Sequence, residues 1–148
     1  MSAAIRPVSL CLLVHNNKVL LQEFKHLDSY ILRPPGGGID FGEYAVEAVR
    51  REIMEEVGSP ITEPQLIQIL EHPRKFVKLN DQRHEIIFLY QARLLREELH
   101  DYEVVPLDDN GHPGRAYWFS TEQLLTETER ILEPPMLLDI LTSLVFKD

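Results

Sequence analysis

Two rhythms of apolar residues alternate along this chain. Val8 to Val14 and Val19 to Phe24 are short, dense apolar runs separated by His15-Asn16-Asn17-Lys18. Asparagine tolerates the positive φ of a tight turn, so the chain is expected to open as a β-hairpin. Tyr30 to Arg33 leads into Pro34-Pro35-Gly36-Gly37-Gly38, where proline excludes helix and glycine permits unusual backbone angles, which predicts a shaped loop. The rhythm then changes. Glu43 to Val57 contains no proline or glycine, and Val46, Val49, Ile53 and Val57 recur at steps of three and four, the spacing of a half-buried helix. Gly58 supplies its stop, with Pro60 just beyond.

Gln65 to Val77 and His84 to Leu95 return to runs of Ile, Leu, Phe and Tyr, with Asn80 and Asp81 between them, and predict an antiparallel pair. Residues 96 to 114 read as a polar connection ending in the turn-rich stretch Asp108 to Gly114, with a strand following from Arg115 to Phe119. Ser120 and Gln123 fit the capping box of a short helix. Pro134 and Pro135 are expected to open a last amphipathic helix ending near Phe146. The order is mixed α/β without regular βαβ alternation, which excludes a doubly wound sheet. Nothing repeats, and a single domain over residues 1–148 is the expectation.

Composition narrows the partners. With 148 residues and 44% apolar content the chain can bury a core of its own. Its formal net charge of -9 and pI of about 5.1 repel a nucleic-acid backbone, which argues against non-specific nucleic-acid binding. A small phosphorylated ligand stays compatible where metal ions and a few local Arg or Lys residues neutralise it. Cys11 is the single cysteine and lies inside an apolar run, so core packing in a reduced compartment is its natural reading. That run is too short to span a bilayer, and no cleavage-site pattern follows it. A cytoplasmic protein without membrane contact is therefore expected. His15, His26, His72, His84, His100 and His112 show no zinc spacing.

The chemistry concentrates between residues 37 and 58. Gly37, Glu43, Arg51, Glu52, Glu55, Glu56 and Gly58 form the pattern G-x5-E-x7-R-E-I-x-E-E-x-G, whose chance occurrence is on the order of 10⁻⁸ per starting point at ordinary composition. On a helix, Glu52, Glu55 and Glu56 share one arc of about 100°. Charge runs are usually solvated faces, but such faces space glutamate against lysine, and this arc has no lysine to relieve its repulsion. A hard divalent cation such as Mg²⁺, with Mn²⁺ as a substitute, is the simplest relief; it also lowers the pKa of a bound water and polarises a phosphoryl oxygen. The apolar stripe lies immediately beside Glu56, which should be the most buried of the three. Gly36, Gly37 and Gly38 are expected to let backbone groups approach a ligand.

From Pro35 to Gly58 the chain resembles the signature loop-helix-loop of the Nudix hydrolases, and its flanking strands and C-terminal helix are similar to that family's α/β/α sandwich with a mixed sheet. The resemblance implies a Mg²⁺-dependent hydrolase that cleaves the pyrophosphate bond of a nucleoside diphosphate linked to another moiety, such as ADP-ribose or a nucleoside triphosphate. It implies Glu52, Glu55, Glu56 and the Gly37 carbonyl as metal ligands, Glu52 as the base that activates water, and Glu43 paired with Arg51 to brace the loop. A further carboxylate from the loop before a late strand would be Asp108 or Asp109. Pro73 lies roughly where ADP-ribose-cleaving members carry a proline, which tilts the substrate toward ADP-ribose. The alternative is a non-hydrolytic Nudix-fold nucleotide sensor, but such proteins typically carry a damaged signature and every charged position here is intact. One departure stands out: Ser59 occupies a place where the family has a bulky aliphatic residue.

Substrate contacts are less defined. Arg33, Arg74 and Arg83, with Lys75 and Lys78, are candidates for a phosphate or base, although exposed Arg and Lys are usually only solvated. Phe76, Tyr90 and Trp118 read as core rather than stacking platforms. A small-molecule nucleotide is the expected partner, with a homodimer also compatible with the sequence.

Overall fold

The first strand, β1 (Ile5–His15), explains why its sequence is a nearly continuous apolar run. Its residues are buried on both faces. Val8, Leu10, Leu12 and Val14 enter one core while Cys11 and Leu13 enter another, and none of the six is more than 2% exposed. The computed structural model describes residues 4–26, 28–73 and 84–144. Arg74, Lys75, Phe76, Lys78 and Arg83 lie outside the described residues, as does the expected helix end near Phe146.

β2 (Lys18–His26) returns antiparallel to β1 through Asn16 and Asn17, at φ 48° and 60°. This is the expected hairpin. β3 (Ser29–Arg33) follows, then β4 (Gly36–Gly38), α1 (Ala45–Val57), β5 (Gln65–Pro73) and β6 (His84–Ala92). After a 3-10 turn at Glu97–Asp101 come β7 (Val105–Asp109), β8 (His112–Ser120), α2 (Thr121–Leu125), β9 (Arg130–Leu132) and α3 (Leu137–Ser143). The main path of the sheet runs β5-β6-β1-β2-β3-β9, with β4 on β1 and β7-β8 reaching β2. β1 and β6 are parallel, as are β3 and β9; the other pairs are antiparallel.

The helices divide between the two faces. Val49, Ile53 and Val57 of α1 pack with Cys11, Leu13 and Leu20 on one side, and Leu124, Leu137 and Leu141 of α2 and α3 pack with Leu10, Leu12 and Leu21 on the other. This is an α/β/α sandwich around a mixed sheet. Ser120 Oγ accepts the Gln123 amide at 3.1 Å and Gln123 Oε1 accepts the Ser120 amide at 2.8 Å, so α2 starts on its capping box. Among the described residues no helix is long and apolar enough to cross a membrane.

Three segments depart from the expected pattern. The glycine run is a strand, not only a loop: Gly36, Gly37 and Gly38 pair with Leu10, Ser9 and Val8. Within the stretch read as a polar connection, β7 forms a hairpin with β8 across Asn110 and Gly111, at φ 50° and 87°. The last helix begins at Leu137, because Arg130–Leu132 first pairs with Tyr30–Leu32 as an edge strand.

Candidate active site

Ser9, fully buried on β1, donates its hydroxyl to the Ala45 carbonyl at 2.8 Å and pins the start of α1. Gly58, at φ 75°, closes the helix with its amide on the Ile53 and Met54 carbonyls. Between these ends Glu52 and Glu56 stand one turn apart, facing β4. The Glu52 carboxylate lies over Gly37, where a Cβ would stand 2.6 Å from it. Gly37 thus makes room for a side chain of its own protein, beyond any ligand. Glu56 is the most buried of the three glutamates at 9%, whereas the side chain of Glu55 is 53% exposed.

Burial pushes the Glu56 carboxyl well above the usual carboxylate range, and a hydrogen bond to Glu52 and the negative charges of Glu52 and Asp109 add to that; the Gly36 amide works against it. Burial among like charges disfavours the ionised form of Glu56 where no cation is bound. Glu52, Glu56, Asp109 and Asn110 line two adjoining cavities, of about 250 and 450 Å³. The first also meets Gly36, Gly37 and Gly38, the second Glu55, Asp108 and Arg51.

The β7-β8 hairpin separates its two aspartates. Asp108 accepts the Gly111 amide at 2.7 Å and so shapes the turn. Asp109 faces the glutamates closely enough to raise the Glu56 pKa.

Arg51 binds the loop to the helix. Its Nε and Nη2 donate to the two Glu43 oxygens at 2.8 and 3.0 Å, and Nη2 also reaches the Gly38 carbonyl at 3.0 Å. The hydrogen bond from Arg51 holds the Glu43 carboxyl down to about 2, with the Asp40 amide adding to it. Nη1 donates to Glu52 at 2.9 Å and lies 3.4 Å from a Glu55 oxygen. The acidic arc therefore has partial compensation that lysine spacing did not reveal: a long guanidinium next in sequence to Glu52 folds back across it. Among the described residues, no hydrogen bond from Arg51 reaches Glu56.

Arg33 reaches the first cavity, but both of its terminal nitrogens donate to Glu85 at 3.0 Å, and Nη1 lies 3.3 Å from Glu133. His72, Glu85 and Glu133 each bring one ligand atom within 4.8 Å of the others. The Arg33 fork already supplies positive charge there, which makes this group a structural ion network rather than the counterpart of the Glu52 cluster. Arg6, at the start of β1, also lines the first cavity; a single arginine before Pro7 gave no sequence signal. Tyr90 is 7% exposed, and Trp118 is partly buried with its indole N–H on the Leu99 carbonyl at 3.2 Å. Ser59 is fully buried, accepting the Arg96 amide at 3.0 Å and donating to the Pro60 carbonyl at 2.7 Å. A polar residue fits because both its bonds are made.

Comparison with known proteins bears on the fold and the family. A curated RNA pyrophosphohydrolase of Shewanella frigidimarina is 31% identical over 107 residues, which cover 62% of this chain and 60% of that relative. A MutT Nudix hydrolase from Burkholderia pseudomallei superposes with a TM-score of 0.69 at 17% identity, over 96% of this chain and 99% of the other. A Nudix hydrolase from Nitrosomonas europaea gives 0.67 at 18% identity, over 94% and 88%. At such identities the structures speak for the fold. The NUDIX domain model matches residues 5–139, from the first strand through the glutamate helix and the hairpin into α3, and the chain belongs to the Nudix family.

Proposed function

We propose that this protein is a Mg²⁺-dependent pyrophosphohydrolase acting on a nucleoside diphosphate linked to another group. The observation that carries the reading is the convergence of Glu52, Glu56 and Asp109 on one cavity, with Glu55 on the adjoining one. The donor set fits a hard divalent cation: the ligands are carboxylate oxygens, and burial beside Glu52 and Asp109 disfavours the ionised Glu56 without one. Glu52, Glu55, Glu56 and the Gly37 carbonyl would hold it, with Asp109 as a further carboxylate. A bound Mg²⁺ supplies Lewis-acid polarisation of a phosphoryl oxygen and a lowered pKa for bound water.

The chain's own groups complete the reaction. The Glu52 carboxylate takes a proton from the attacking water, whose oxygen bonds to phosphorus in line with the departing bridging oxygen. The bridging P–O bond breaks, and its electrons leave on the second phosphate. A nucleoside monophosphate and a second phosphorylated product result. Arg51 acts as a positioning residue, since it fixes Glu52 and the loop carbonyl of Gly38 together. The names of the relatives support a nucleotide: one is an RNA pyrophosphohydrolase, and a fold neighbour is an ADP compounds hydrolase.

Turnover measured with Mg²⁺ and with Mn²⁺ on ADP-ribose, a nucleoside triphosphate, a nucleotide sugar, a dinucleoside polyphosphate and 5′-triphosphorylated RNA tests the reading. Cleavage of at least one, abolished by chelator, is the expected result. Full turnover in excess chelator overturns the metal assignment, and no cleavage of any overturns the enzyme.

A further inference from the structure

Two guanidinium groups reach the cavity that holds Glu52, Glu56 and Asp109. Arg33 has both terminal nitrogens on Glu85. Arg51, in the adjoining cavity, is divided among Glu43, Glu52 and the Gly38 carbonyl. Arg6 differs from both, making no hydrogen bond or ion pair with any described residue. It is the uncommitted cation of a wall that otherwise carries Glu52, Glu56, Glu85 and Asp109.

Free surface arginines are common and mostly only solvated. Arg6 is set apart by its seat. Its guanidinium rests against Gly38, where a Cβ would stand 2.7 Å from Nη2 and 3.2 Å from Nε. Any side chain at residue 38 displaces the fork from this place. The absence of a Cβ at Gly38 thus leaves room for the planar group where it lines the cavity, beside the glycine that lies under Glu52.

We infer that Arg6 is the substrate-binding cation of this cleft and takes the phosphate next to the one attacked. The inference rests on the nucleotide reading above. Metal bound by the glutamates neutralises the reacting phosphate, but the adjacent phosphate of a diphosphate also enters an acidic cavity and needs a cation of its own. Arg6 has its donors available, and a guanidinium fork matches two phosphate oxygens.

Calorimetry in the presence of Mg²⁺ on wild type, Arg6→Gln, Arg6→Lys and Gly38→Ala tests this, with AMP and α,β-methylene-ADP as probes. Arg6→Gln weakens methylene-ADP binding about tenfold to hundredfold, the loss of a charge-assisted hydrogen bond, and changes AMP binding little. Arg6→Lys falls between, because it keeps the charge and loses the fork. Gly38→Ala reproduces the selective loss with Arg6 still present, since the new Cβ moves its fork. Melting temperature in Arg6→Gln stays at the wild-type value, as no hydrogen bond or ion pair with the described residues is lost. Equal affinity for methylene-ADP in wild type and Arg6→Gln, or an equal loss on both probes, overturns the Arg6 assignment alone. A wild type that binds neither probe overturns the nucleotide reading and this inference with it.

Discussion

Arg51 makes one guanidinium serve two Glu43 oxygens, the Gly38 carbonyl and Glu52, all within 3.0 Å. A lysine keeps the charge but cannot reach these partners together. Arg51→Lys is expected to lose about 1–3 kcal/mol of stability and about tenfold or more in kcat/KM, as Glu52 and the glycine strand drift apart. Thermal melting and steady-state kinetics check it, and a variant unchanged in both removes the bracing role. The pairing of Glu43 with Arg51 was legible in the sequence because the signature sets their spacing. The difference between Asp108 and Asp109 was not, since it depends on which of two adjacent residues the hairpin register turns toward α1. Arg6 was equally hidden, because its meaning comes from Gly38, 32 positions away in sequence and in contact only after β4 pairs with β1.

At the level of elements, the end of α1 and the α2-β9 connection are each held by one polar side chain. Ser59 satisfies the Arg96 amide from a fully buried position. Ser59→Val restores a more typical apolar side chain yet strands that amide, so it is expected to destabilise by about 1–3 kcal/mol; a melting temperature equal to or above wild type refutes this. Glu127 accepts Arg130 Nη2 at 2.8 Å and the amides of Glu129 and Arg130, while Arg130 also bonds Glu23 and lies over Phe119. The Arg130 bond holds the Glu127 carboxyl below its ordinary 4.5. A depressed carboxylate contributes stability that is present above its unfolded pKa and lost as pH falls through the folded one. Glu127→Gln should therefore melt below wild type at neutral pH, and the gap should close as pH drops below 4.5. A gap that widens with acid contradicts the assignment. The helix and hairpin were readable because period and turn residues are local. β7 and β9 were not: Val105-Pro106-Leu107 is too short a run to stand out, and Arg130–Leu132 becomes a strand only through its partner β3, roughly a hundred residues earlier.

Across the whole molecule, where the net charge is -9, five carboxylates from α1 and β7 line one cavity. A cation that binds only the folded chain stabilises it by about 2.7 kcal/mol at a hundredfold excess over its Kd. Mg²⁺ should raise the melting temperature of wild type, and Glu56→Gln should shrink that rise while melting no lower than wild type in chelator, because Gln keeps neutral a position where burial already disfavours the charge. An equal Mg²⁺ response in both proteins excludes Glu56 from the site. The global order of the fold was visible in outline, since an apolar sheet needs a helix layer on each of its faces. What that outline did not show is how much depends on the phase of β1. Odd and even residues between Val8 and Val14 feed opposite cores, so the strand behaves like a reading frame in which length changes only in steps of two. One alanine inserted between Leu10 and Cys11 exchanges the two faces for everything downstream and should abolish cooperative melting. The same insertion after Glu63, in the connection before β5, should leave a cooperative transition. A frameshifted β1 that still melts cooperatively would mean the sheet can re-register around its own central strand. Without that freedom, this strand tolerates replacement of its side chains far better than any change in their number.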